Sequence, residues 1–241
     1  MRFPIRTGSW LWRGFLVLLL AGIIGGVLFW LTQSSVLAIE DIQVDGNQAV
    51  PTEQILDRVG PVLKGQSLLS RSFDNAVAMI KEFPYVESVD LEKDYPHTLI
   101  IHVHEYRPLA SLQMDGGPGL LLAADGRVLE NQGKIDQKYP IISTKNQCPT
   151  KVGQTVSCPD ARAAVQFLAD VPVSFNAGFT GVSVDGGDIS ATTGNGVKVH
   201  FGTLDDYDLK FEVLRQLMIR SVGQGGQLTI DVSVPDRPVT R

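Results

Sequence analysis

Residues 83–110 read FPYVESVDLEKDYPHTLIIHVHEYRPLA, and this stretch decides the fold. It holds two alternating apolar runs, Val86, Val89 and Leu91, then Leu99, Ile101 and Val103, on either side of Lys93-Asp94-Tyr95-Pro96-His97. Period-two alternation broken by a proline-containing turn predicts a β-hairpin with one buried face. Upstream, Phe73 to Phe83 spaces Phe73, Val77 and Ile80 three and four apart, which puts them on one helical face, and Pro84 stops the helix. Pro51-Thr52-Glu53-Gln54 opens another helix, with Ile55, Leu56 and Val59 on its apolar side and Gly60-Pro61 as the expected stop. Between the helices, Gly65 to Leu69 is a loop that drops two leucines towards a core. Ala38 to Val44 alternates Ile39, Ile42 and Val44 and ends in the turn Asp45-Gly46-Asn47. The expected order is strand, helix, helix, strand, strand.

The chain has 241 residues, 44% hydrophobic and 20% charged, enough for one or two ordinary cores. Net charge is −5 although Arg2, Arg6 and Arg13 all sit at the front, so the remainder is more acidic still. An acidic body argues against nucleic acid, whose binding is dominated by phosphate neutralisation, and against docking on anionic lipid.

Phe15 to Leu31 is an uncharged apolar run, with Trp10 and Trp12 at one end and Trp30 at the other. At about 1.5 Å per residue it reaches roughly 25 Å, at the short end for a hydrocarbon core of about 30 Å. Basic residues precede it, while Glu40 and Asp41 are the first charges after it. The positive-inside rule therefore makes residues 1–14 a cytoplasmic tail, 15–31 a single transmembrane helix, and the rest extracytoplasmic. The competitor is a cleaved signal peptide, for which Ser35-Val36-Leu37-Ala38 offers small residues; the length of the apolar run favours a retained anchor. Gly22 and Gly26 form a small-xxx-small pair suited to packing against another membrane helix.

Four short motifs then stand in order behind that helix: Val44-Asp45-Gly46-Asn47, Phe83-Pro84-Tyr85-Val86, Pro96-His97-Thr98-Leu99 and Val103-His104-Glu105-Tyr106-Arg107-Pro108. Together they resemble the signature of a POTRA domain, and more narrowly that of the FtsQ/DivIB family of bacterial cell-division proteins. The resemblance covers about Ala38 to Ala110. It implies an α+β chain: the membrane helix, a POTRA domain (β-α-α-β-β) over 38–107, a mixed α/β "β-domain" with a meander sheet over 108–234, and a tail over 235–241. Arg107-Pro108 is the expected boundary.

In the second half, Leu120 to Ala123 and Arg127 to Leu129 flank an Asp125-Gly126 turn and predict a hairpin. Pro159 to Ala169 predicts a helix packing through Ala163, Ala164, Phe167 and Leu168. Gly181 to Phe201 predicts a meander, and Asp205 to Arg220 an amphipathic helix with Leu209, Val213 and Leu217 inward. Leu228 to Val234 alternates throughout, Leu228, Ile230, Val232 and Val234 against Thr229, Asp231 and Ser233, and reads as a terminal strand ended by Pro235 and Pro238.

No catalytic constellation emerges, and no cofactor or small-molecule substrate is expected. The Gly-x-Ser-x-Gly elbow and P-loop spacing are missing from the sequence. His102 and His104 share one face of a predicted strand, where a metal is weighed against a merely polar exposed face; nothing in the sequence completes a ligand set, and the polar face is favoured. Cys148 and Cys158 are the only cysteines, and in an oxidising exterior a disulfide is favoured over two buried thiols.

A terminal strand with one apolar face leaves an edge that invites a strand from another chain. The family resemblance implies this use: a segment of the single-pass division protein FtsB, coiled with FtsL, adds at the end of the β-domain. By position the contact residues are Thr229, Ile230, Asp231, Val232 and Ser233, with Leu217, Arg220 and Ser221 on the preceding helix. An ordinary edge protected by Asp231 and Pro235 is the competing reading. The function so implied is that of a non-enzymatic divisome scaffold at the septum of the cytoplasmic (inner) membrane, acting indirectly on the septal wall synthase. The alternative is a POTRA-containing envelope assembly or secretion module; the roughly 130 residues after Ala110 include two helices and do not make a large barrel.

Overall fold

The computed structural model describes residues 8–33, 37–114, 118–145, 148–172, 175, 178–221 and 228–240. Two compact units divide the chain: residues 1–81 with 87–104, and residues 82–86 with 105–241.

In the first unit, helix α1 (Gly8–Gln33) carries the apolar run. Side chains are described for 12–26, and all are exposed. Among the described residues no helix is long and apolar enough to cross a membrane. Phe15 and the Gly22/Gly26 pair lie in this stretch, with open space beside both glycines. The side chains of Trp10, Trp30 and Leu31 lie outside the described residues.

Next come β1 (Asp41–Asp45), α2 (Thr52–Leu63), α3 (Asp74–Lys81), β2 (Val86–Asp94) and β3 (Thr98–Glu105). The three strands form a sheet in the order β1-β3-β2, with β1 parallel to β3 and Ile42 opposite Leu99. Ile55, Val59, Leu63 and Ile80 from the helices and Leu99 and Ile101 from β3 are at most 1% exposed and form its core. The turn after β1 requires its glycine: Gly46 has φ +85°, and a β-carbon there would overlap the Val103 carbonyl oxygen. Asn47 fixes the return, its Nδ2 donating to the Val50 carbonyl (2.7 Å) and Thr52 Oγ1 (3.0 Å).

Helix α2 does not stop at Gly60-Pro61 but runs on to Leu63. Proline lacks only the N–H that would bond the Asp57 carbonyl, and packing of Val59 and Leu63 holds the last turn. The end comes instead at Lys64, extended at ψ 131°, followed by Gly65 at φ +83°.

The second unit is built on a mixed nine-stranded sheet in the order β12-β11-β10-β9-β8-β7-β4-β5-β6. Its strands are β4 (Pro108–Met114), β5 (Gly119–Ala123), β6 (Val128–Gln132), β7 (Ile141–Thr144), β8 (Phe179–Asp185), β9 (Asp188–Thr193), β10 (Lys198–Gly202), β11 (Thr229–Asp231) and β12 (Val239–Thr240), with helices α4 (Pro159–Ala169) and α5 (Tyr207–Ser221). The expected hairpin and meander are present, but β4, β7 and β8 pair in parallel, as do β10 and β11. Phe167 of α4 is the hub of the core, with ring centroids of Phe201, Phe179, Tyr207 and Phe211 at 4.8, 5.3, 5.8 and 6.0 Å. Each such pair adds about 0.5–1.5 kcal/mol beyond area burial.

This aromatic hub sets the rotation of α5. Its buried residues are Lys210, Phe211 and Leu214; Leu209, expected inward, is 48% exposed, and Val213 and Leu217 are only half-buried. Placing Tyr207 and Phe211 against Phe167 buries more area than the Leu209 stripe would. Lys210 reaches through this packing to donate from Nζ to the Thr203 carbonyl at 2.8 Å. Cys148 and Cys158 are joined in a disulfide, with Cα atoms 5.5 Å apart.

Candidate partner-docking surface

The far end of the nine-stranded sheet is β10, β11 and β12. The terminal strand is shorter than its alternating sequence predicts: β11 has three residues, and it is not the edge. Lys198, Val199 and His200 face Thr229, Ile230 and Asp231 in parallel on one side, and Thr240 and Val239 face Ile230 and Asp231 antiparallel on the other. The shortening has a local cause. Asp231 Oδ1 accepts from both the backbone N–H (2.9 Å) and the hydroxyl (2.6 Å) of Ser233, which pulls the chain into a turn. The Val232 N–H still donates to the His200 carbonyl (2.9 Å), after which Arg237 N–H closes a turn on the Val234 carbonyl (3.0 Å). The segment expected as a tail thus folds back, and Val239–Thr240 pair with β11.

The residues expected at the interface are divided by this arrangement. Ile230 and Val232 are fully buried and belong to the core. Thr229 is exposed, and Asp231 and Ser233 are half-buried and bonded to each other. Leu217 is half-buried against the core, and the side chains of Arg220 and Ser221 lie outside the described residues. Val239 and Thr240, both exposed, form the strand that ends the sheet. Their only sequence signal is a β-branched pair after Pro238.

Strand register brings together a row no sequence pattern announces. Asp231, His200, Ser190, Ser183, Ser143 and Gln113 lie opposite one another across six strands on the face away from the aromatic hub. His200 Nδ1 lies 3.1 Å from Ser190 Oγ and 3.5 Å from Asp188 Oδ1. Both partners approach the same ring nitrogen, so this is not the relay of a nucleophile, a base and an orienting acid.

Elsewhere the titratable groups are paired in ways that serve structure. On β3, His102 Nε2 sits 3.1 Å from Glu92 Oε2, and His104 Nε2 sits 3.1 Å from Asp90 Oδ2, so the two histidines engage separate cross-strand carboxylates. Among the described residues no group of three or more His, Cys, Asp or Glu is placed to hold a metal. Within the second unit, Tyr85 donates to Glu130 Oε2 at 2.8 Å, and Arg127 Nε donates to the Pro84 carbonyl at 3.0 Å. Burial first, and then the Glu130 carboxylate, push the Tyr85 phenol well above its ordinary range. Burial likewise raises the Tyr207 phenol, whose hydroxyl donates to the Phe167 carbonyl at 2.6 Å, with Asp170 and Asp208 adding to the effect. On the exposed side of α5, bonds from Arg215 and Gln216 hold the Glu212 carboxyl below its usual range.

Comparison with known proteins gives these features a context. The model of the FtsQ-type POTRA domain matches residues 37–106. Cell division protein FtsQ of Allochromatium vinosum is 29% identical over 193 residues, covering 79% of this chain and 72% of that protein. Cell division protein DivIB of Clostridium botulinum (strain Hall) is 26% identical over 208 residues, 83% of this chain and 80% of that protein. FtsQ of Rhizobium meliloti is 32% identical over 138 residues, 54% and 43% of the two chains. A solved structure of the major extracytoplasmic domain of the trans isomer of DivIB from Geobacillus stearothermophilus aligns with 41% of this chain and 79% of that one, at 16% identity and a TM-score of 0.29. With a match to the FtsQ-type POTRA domain over residues 37–106 and relatives of both names, this chain is similar to the FtsQ and DivIB cell-division proteins.

Proposed function

We propose that the protein is a non-enzymatic scaffold of the divisome, with residues 15–31 as its single membrane anchor and the body outside the cytoplasmic membrane at the septum. On this reading 38–107 and 108–234 act as a POTRA domain and a partner-binding β-domain. An FtsB-like segment, coiled with an FtsL-like chain, adds as a strand to the end of the nine-stranded sheet and links the scaffold to septal wall synthesis. The observation that carries this reading is that end itself: the two-residue β12 is the outermost strand, next to the exposed Thr229. Main-chain hydrogen bonds from such an edge supply affinity, and neighbouring side chains supply selectivity.

The docking edge is therefore β12; of the expected contact set, Thr229, Asp231 and Ser233 lie in or next to its partner strand β11, Leu217, Arg220 and Ser221 belong to α5, and Ile230 and Val232 support the edge from the core. Replacing Val239 with proline breaks its pairing with Asp231, so that the outer strand β12 is lost, and leaves the core intact. In the intact chain this substitution should abolish co-purification of the FtsB-like partner and disperse a midcell band of a fluorescent fusion. Undiminished capture and normal division would refute strand addition at this end.

A further inference from the structure

We propose that the first unit carries a second strand-addition site, on β1, for an extended partner segment that alternates basic and apolar residues. This site lies apart from β12 and does not depend on the function proposed for it. In the three-stranded sheet β1 is an edge, and beside it a groove opens against α2, lined by Glu40, Asp41, Ile42, Leu56, Asp57 and Pro61.

The chain itself shows that this side of the strand accepts a partner. Just before β1, the 65–68 segment runs antiparallel along 37–39, with Ala38 opposite Ser67. Ile39 N–H donates to the Gln66 carbonyl (2.8 Å), Gly65 N–H to the Ile39 carbonyl (3.0 Å), and Leu68 N–H to the Leu37 carbonyl (2.8 Å). At Lys64 the segment turns back into α2 and the pairing ends. Among the described residues nothing continues it along Asp41–Asp45. A strand from another chain continues the same ladder where the protein's own segment leaves off.

The groove states what that strand carries. Half-buried Ile42 and Leu56, with the exposed ring of Pro61 and no side chain at Gly60, make a shallow apolar floor. Pro61 also has no N–H to give the Asp57 carbonyl, so the helix leaves an acceptor on the same wall. Three exposed carboxylates, Glu40, Asp41 and Asp57, outnumber the one cation in the lining, Lys64. An apolar side chain on the floor, flanked by lysine or arginine, satisfies both features, whereas an acidic segment meets like charge.

Two soluble peptides test this on the intact detergent-solubilised chain: seven residues alternating lysine and valine, and the same length alternating glutamate and valine. The basic peptide should bind at least about tenfold more tightly and slow amide exchange selectively over 41–45. Methylating alternate backbone nitrogens of the basic peptide should abolish that protection, because strand pairing needs its N–H groups. Asp41→Lys combined with Asp57→Lys, both exposed and therefore compatible with folding, should invert the preference between the peptides. Equal binding of the two peptides, protection confined to another region, or indifference to backbone methylation would each overturn the proposal. Loss of partner capture in the Val239→Pro chain would leave all these readouts unchanged, so the two sites fail separately.

Discussion

The two units protect their sheets in different ways. The first ends its three-stranded sheet on a five-residue edge whose upstream neighbour residues are already paired by the chain's own 65–68 segment. The second ends a nine-stranded sheet on a two-residue strand preceded by a turn. In the first, the covering segment is close in sequence and stops early; in the second, an aspartate–serine turn sends the chain back to shield most of β11. An edge survives where the covering segment runs out, and its length limits how many main-chain bonds a partner can make. A single alternating run therefore does not reveal whether its edge is free.

The core of the second unit offers the largest test of this contrast. Phe167→Ala removes the ring shared by four aromatic neighbours and should cost about 3–5 kcal/mol, read as loss of amide protection across β8, β10, α4 and α5. Equal loss over 37–81 would break the distinction between the units. Reducing Cys148–Cys158, which closes a separation of ten residues, should lower the denaturation midpoint of the second unit by an amount corresponding to about 2–3 kcal/mol in the chain-entropy model. An unchanged midpoint would mean that the loop is held by packing alone.

Two smaller tests use pH. Tyr85→Phe deletes the bond to Glu130 and should cost about 1 kcal/mol near neutrality. Because the folded phenol titrates higher than the unfolded one, the full contribution is present below about pH 10 and is lost as pH rises through the folded value. The parent and the variant should therefore converge in alkaline unfolding; a constant difference would contradict the assignment. The smallest effect is expected for Glu212→Gln on the exposed face of α5. There the folded carboxyl titrates low, so its contribution is present above about pH 4.3 and disappears as pH falls through the folded value. A difference in melting temperature that persists in strong acid would rule out the Arg215 and Gln216 bonds as its source.

Much of the first unit was legible because its determinants are local. The hairpin lies within Val86–Glu105, the glycine turn follows its strand directly, and the helical faces repeat every three or four residues. Pro61 misled for an equally local reason: a stop signal was read where burial of Leu63 overrides one missing hydrogen bond. In the second unit, β4 and β7 carry no strong alternation, and their parallel partners lie about thirty or more residues away. The inward face of α5 was misassigned because Leu209, Val213 and Leu217 have the right spacing, while the choice between that stripe and Phe211 belongs to Phe167 on another helix.

The partner-binding residues divide the same way. Alternation correctly put Ile230 and Val232 inward, but it could not say that Asp231 would bond Ser233, nor that Val239–Thr240 would return as the outer strand. The sequence by itself determined the apolar N-terminal run, the order of the POTRA elements, the turns that need glycine and the absence of a recognisable catalytic motif. These follow from periodicity, backbone sterics and charge, which act over a few residues. Only the tertiary structure decided which strands became neighbours, which face of α5 turned inward and which edges stayed open. Those outcomes depend on burying the most apolar area while pairing every backbone group, a competition among segments far apart in the chain.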